Sequence, residues 1–242
     1  MRTMRASQRF IGVSAALFFG SAALTVAWCP SMSAMHDMPL CTLSTTWMRG
    51  APAFLVMWLT MMVAMMLPSL MPMLLRYRQT VTATSAMRLD ALTAWVGLAY
   101  FFVWTVFGAV AFAASSVLTD LDMRWPPATG LLVLTAGVLQ FTRWKAHYLA
   151  CCRGAPDCCS VFPAETSAAC RHGLRLGMHC VHCCFGLTVM LLALGMMDLR
   201  AMALVTAAIS IERLAPDGLR AARLVGVVLV AMGAFLIANV MV

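Results

Sequence analysis

Charge is what this 242-residue sequence has least of. Asp, Glu, Lys and Arg make up only 11% of it, against about 25% in an ordinary globular domain. That shortage excludes a soluble enzyme and a disordered tail, both of which need many ionised groups at their surfaces. Acids are the scarcer sign, nine against seventeen basic residues. The resulting +8 is spread too thinly to line a groove for nucleic acid. The sequence holds no Walker A run, no phosphorylated-Asp signature and no Gly-rich dinucleotide turn, so neither ATP-driven pumping nor a nucleotide cofactor is expected. No Ser/His/Asp or paired-carboxylate arrangement can be placed, which points away from an enzyme. A repeat of 20–50 residues is absent, as is a low-complexity linker.

Apolar residues fill the space left by charge, at 62% of the chain with a mean hydropathy of +0.88. They gather into runs at about 10–28, 52–75, 90–118, 128–142, 181–198, 200–213 and 222–241. Uninterrupted apolarity without alternation predicts helices rather than a barrel. The expected fold is therefore an all-α, polytopic transmembrane bundle of about seven spans, forming one integral membrane domain over 1–242. If the first run were a cleaved signal, six spans would remain. The bulky Trp28 just before Cys29 argues instead for an uncleaved anchor. Pro68 and Pro72 should break or kink the second span near its end.

The basic residues set the orientation. With the N-terminus in the cytoplasm, fourteen fall on the inner side and three, Arg49, Arg124 and Arg200, on the outer side. This places the C-terminus outside and the long 143–180 segment inside, in what reads as a bacterial inner membrane. Glu212 is the intramembrane carboxylate to mark, with adjacent Arg213 expected to neutralise it.

Sulfur is abundant, with ten Cys and twenty-two Met. Eight cysteines fall on or beside the 143–180 segment: Cys151, Cys152, Cys158, Cys159, Cys170, Cys180, Cys183 and Cys184. A reducing cytosol disfavours disulfides there, whereas thiolates bind soft or borderline metals such as Cu(I) and Zn(II). The densest stretch, from His179 and Cys180 through His182 to Cys183 and Cys184, is expected to open the 181–198 helix. Cys180, Cys183 and Cys184 then share one helix face, and a helix N-terminus would favour their thiolates. Cys151-Cys152 and Cys158-Cys159 form a second group; their spacing does not match a zinc ribbon. Cys170 reads as an ordinary small apolar residue.

On the outer side, Cys29 and Cys41 leave a disulfide and free or metal-binding thiols both open. Between them lie Met32, Met35, His36 and Met38, soft donors that need no deprotonated thiol. Met57, Met61 and Met65 form a stripe along the second span, beside Met62 and Met66. Such a stripe is ordinarily packing. Running between an outer Met/His loop and an inner Cys/His cluster, it also suits transient copper ligands, with Met35, Met61 and Met65 foremost.

Three blocks of residues give a family resemblance. They are Ala64 to Ser69 with Pro72; Lys145 with Cys152, Arg153 and Pro156; and Gly173, Gly177, Cys180, Cys183, Cys184, Gly195 to Met197, Met202, Glu212, Pro216 and Gly218. Over about residues 52–218 the chain resembles an uncharacterised bacterial family described as predicted metal-binding integral membrane proteins. It departs from that family's pattern at Tyr148, where the pattern has Cys, at His182 (Gly), at Phe185 (Trp) and at Arg213 (Lys). The resemblance implies a membrane protein that binds a metal through this core.

The sequence thus predicts a membrane protein handling a soft metal, copper before zinc. Its ligands would be Cys180, Cys183, Cys184 and Cys152, then His179 and His182, with Cys151, Cys158 and Cys159 nearby. Its expected partners are lipid and the metal ion, with no nucleic acid; a protein partner or second copy stays open. Two rival classes remain at this point: a membrane thiol-disulfide oxidoreductase using the vicinal cysteines, and a non-catalytic subunit assisting metalloenzyme assembly.

Overall fold

The computed structural model describes residues 2–33, 43–81, 85–120, 128–153, 164–194 and 199–241. Met35, Cys41, Cys158 and Cys159 lie outside these residues, and the side chain of Cys29 is not described, so their predicted roles are not addressed by the structure. The described residues form eight helices and no strand: α1 (Arg2–Ser33), α2 (Leu43–Thr80), α3 (Ala86–Asp120), α4 (Ala128–Leu139), α5 (Arg143–Cys152), α6 (Thr166–Leu194), α7 (Leu199–Leu214) and α8 (Gly218–Met241).

Five of these contain stretches long and apolar enough to cross a membrane: Gln8–Ala27, Ala51–Thr80, Ala86–Ala114, Thr166–Leu192 and Gly218–Asn239. The chain reads as an integral membrane protein on that basis. About seven spans were expected, two of them short; the short ones correspond to α4 and α7. With 12 and 16 residues at about 1.5 Å each, neither covers a hydrocarbon core of roughly 30 Å.

Two further findings concern helix continuity: the second span does not break at its prolines, and the helix carrying the cysteine cluster starts earlier than expected. Helix α2 runs unbroken through Pro52, Pro68 and Pro72. Without competing water, neighbouring groups in a membrane protein can satisfy the backbone carbonyls that proline frees. Helix α6 begins at Thr166 rather than near residue 181, so Cys180, Cys183 and Cys184 sit about four to five turns inside the helix. An N-terminal dipole therefore cannot be what tunes them.

The chain divides into two compact units, Met1–Ser115 with Ser160–Met178, and Ser116–Cys159 with His179–Val242. In the first unit α1 packs on α2. Trp58 of α2 and Trp104 of α3 are fully buried, and the Trp58 Nε1 donates to the Trp104 carbonyl at 2.9 Å. Gly108 makes room for the Trp58 indole, with which a Cβ at that position would collide. Met57, Met61, Met62, Met65 and Met66 are all buried. Both methionine rows are thus core, where unbranched thioethers fill irregular gaps. The start of α6 meets α3 in the same way, Gly173 lying against Val96 and Ala99.

In the second unit α4 packs closely on α8. Glycines on both helices permit this: a Cβ on Gly137 would stand 2.8 Å from the Val230 nitrogen, and one on Gly233 2.6 Å from the Leu134 nitrogen. Helix α4 ends in a turn whose Gln140, Phe141 and Thr142 amides bond to carbonyls three residues back. Thr142 then caps α5, its hydroxyl accepting from the Lys145 amide at 3.2 Å. This turn sets the chain direction that brings α5 to α6 and α7.

Candidate metal centre

Helix periodicity brings the site together. Cys180, Cys183 and Cys184 share one face of α6 and are all buried, as is Cys152 at the end of α5. All four belong to the second unit. None of the four is disulfide-bonded.

Arg213 of α7 enters this cluster. Its Nη2 donates to Cys180 Sγ at 2.9 Å, to Cys184 Sγ at 3.3 Å and to Cys152 Sγ at 3.6 Å. Arg213 is 9% exposed. The sulfurs are therefore turned towards a guanidinium, and among the described residues no group of three or more His, Cys, Asp or Glu stands arranged to hold a metal ion.

Glu212 does not pair with Arg213, contrary to the sequence reading. Consecutive helix residues point in different directions. Its Oε2 accepts from Lys145 Nζ at 2.7 Å and its Oε1 from Gln140 Nε2 at 2.9 Å. Lys145 Nζ also donates to the Cys183 carbonyl at 2.7 Å. Glu212 and Lys145 are 1% and 4% exposed. Burial by itself would lower the Lys145 pKa, but Cys183 and then Glu212 outweigh it and hold the ammonium above its ordinary value. A satisfied, charged pair is what a buried carboxylate and ammonium require.

Arg153 fixes the end of α7. Its Nη1 donates to the Glu212 and Arg213 carbonyls at 3.0 and 2.9 Å, and its Nη2 to the Pro216 carbonyl at 3.0 Å. The first two are terminal carbonyls that a helix leaves without internal partners, and the third lies in the turn just beyond α7. Gly218 is needed here, since a Cβ on it would meet the Glu212 carbonyl and the Arg153 guanidinium.

Other sequence-predicted residues fall elsewhere. His179 and His182 face the aromatic rings of α5. The Tyr148 ring stacks on His182 at 4.8 Å between centroids and meets His179 edge-on at 5.6 Å; Trp144 also meets His182 edge-on. Tyr148 and His182 are two of the positions at which the chain departs from the family pattern, and they are in mutual contact. Cys151 is disulfide-bonded, unlike the adjacent Cys152. Met61 and Met65 belong to the first unit. Sequence reasoning missed the roles of Lys145, Gln140, Arg153 and Arg213. The signal available was a scarcity of polar groups in an apolar chain, each of which must find a partner.

The fold and site define an all-α integral membrane protein with a buried cluster of reduced cysteines around one cation. The family model of PpoB2, copper chaperone, matches residues 55–236, and the chain belongs to that family. The match agrees with the metal-related character of the resemblance drawn from residues 52–218. No curated protein and no solved structure matches the chain.

Proposed function

We propose that this chain binds Cu(I) at the Cys152, Cys180, Cys183 and Cys184 cluster and passes it on by exchange of sulfur ligands. One observation carries the reading: four buried cysteines from two helices, none of them disulfide-bonded, gather around one cation. Thiolates suit soft Cu(I), and a nearby positive charge favours the ionised donor. Membership of the copper chaperone family favours copper over zinc. His179 and His182, on the aromatic side of the cluster, would receive or relay the ion. Met35, Met61 and Met65 would serve as path ligands if the ion crosses the membrane. On this reading the protein lies in a bacterial inner membrane with the N-terminus inside, and α4 and α7 enter the bilayer beside the five long helices. A homo-oligomer or protein recipient would complete the handover.

The test is elemental analysis of protein purified in mild detergent under reducing conditions, after loading with Cu(I). Roughly stoichiometric copper is expected in the wild type, with loss in Cys180→Ser/Cys183→Ser/Cys184→Ser. Equal copper in the triple variant sinks the site assignment.

A second reading has its own observation. Disulfide-bonded Cys151 adjoins free Cys152, a pairing that suits thiol-disulfide exchange. It requires thiol-dependent reductase activity without metal, and Cys151→Ser should abolish it.

A further inference from the structure

Arg213 differs from the other cations around the centre. Lys145 is neutralised by Glu212 at 2.7 Å, and Arg153 is committed to the carbonyls at the end of α7. Arg213 instead sets one nitrogen among three sulfurs from two helices, at 2.9, 3.3 and 3.6 Å. That nitrogen carries two protons, so three good hydrogen bonds cannot form at once. The arrangement is better described as a weakly hydrated cation surrounded by polarizable sulfur. Cu(I) carries the same single charge and binds sulfur by preference.

We infer that the Arg213 guanidinium is a placeholder for Cu(I): it occupies the ligand position in the unloaded centre, the metal displaces it from Cys152, Cys180 and Cys184, and its return helps to release the metal. The inference rests on the copper-binding reading above. No electron moves in the exchange. Cu(I) arrives on a donor's ligands, forms bonds to two of the sulfurs and leaves the donor's ligands behind. One of these two sulfurs is the thiolate that pairs with Arg213 in the unloaded centre, and the other gives its proton to water. The resulting bis-thiolate complex carries one negative charge, and the displaced guanidinium, tethered to α7, stays as its counter-ion. A buried charge is therefore paired in both states, and an unpaired one is what costs most. The contact with sulfur is closest in the unloaded state, so the guanidinium stabilises that state more. Weaker holding and faster release follow, which suits a carrier.

Full-length wild type, Arg213→Gln and Arg213→Lys in detergent would be titrated with Cu(I) against bicinchoninate, a chromophoric Cu(I) chelator, and release to the chelator timed. Arg213→Gln is expected to bind about tenfold more tightly and to release correspondingly more slowly. Arg213→Lys, which keeps a cation, should shift less. Equal or weaker binding by Arg213→Gln, with normal binding by wild type, overturns the placeholder and leaves the copper reading standing. Failure of wild type to bind Cu(I) overturns both. If Arg213→Gln does not fold, the wild type decides. Phenylglyoxal labelling of Arg213, read by mass spectrometry, should rise on Cu(I) loading, and unchanged labelling overturns the proposal.

Discussion

Lys145 joins the Glu212 carboxylate to the Cys183 backbone, its ammonium lying 2.7 Å from each. One side chain of α5 thereby ties α7 to the stretch of α6 that carries the thiols. Removing either ion leaves the other buried and alone, at a cost of about 3–5 kcal/mol. Lys145→Met and Glu212→Gln should each lower the melting temperature in detergent sharply. Lys145→Met with Glu212→Met should recover much of the loss, because no charge is then stranded. A double variant no better than the worse single one would show that the two groups do not act as a pair.

The pH dependence follows from the raised Lys145 pKa. A group held above its unfolded value contributes stability that is complete below that unfolded value and is lost as pH rises through the folded one. The melting-temperature gap between wild type and Lys145→Met should therefore stay constant across neutral pH and narrow only in strong alkali. A gap that closes between pH 6 and pH 8 (about the range in which imidazole or an activated thiol titrates) would assign the effect to another group.

Cysteine position should matter more than cysteine number. Cys152 reaches the α6 thiols from α5 and lies 3.6 Å from the Arg213 guanidinium, whereas Cys170 is a half-buried free thiol in the first unit. Cys152→Ser should weaken Cu(I) binding by about tenfold or more, while Cys170→Ser should bind as wild type. Chelator competition on the two variants checks this directly, and equal losses would refute it.

Gly218 is predicted to tolerate no side chain. Even Ala would place its Cβ against the Glu212 carbonyl and the Arg153 guanidinium, forcing one of them away. Overpacking of this kind costs roughly 1–3 kcal/mol. Gly218→Ala should lower the melting temperature, because the clash falls on the carbonyl and guanidinium that fix the end of α7. Arg153→Ala should do the same through loss of its carbonyl contacts.

The sequence was most informative where chemistry is carried by residue type and helical spacing. The i, i+3, i+4 relation of Cys180, Cys183 and Cys184 placed three thiols on one face of α6, and all three are buried there. Uninterrupted apolar runs were enough to indicate a helical membrane protein. Helix boundaries were less legible. Helix α6 extends back to Thr166 through Arg171, His172 and Arg175, polar residues that hid the helix from an apolarity criterion. The partners of single ions were hidden for a different reason. Glu212 and Arg213 are adjacent in sequence, but a helix turns about 100° per residue, so one meets Lys145 and the other meets sulfur. Likewise, Tyr148 and His182 are far apart in the chain and look like separate departures from a pattern, yet they are one stacked pair.

Cys152 and Arg153 are consecutive, yet they grip residue 213 from two sides. The first meets its guanidinium, and the second holds its carbonyl. A helix seized by both side chain and backbone at one residue behaves like a shaft keyed to its hub. Sliding α7 along its axis breaks the carbonyl clasp, and rotating it swings the guanidinium off the sulfur. The end of α5 thus fixes both the height and the angle of α7 at the point where the thiols converge.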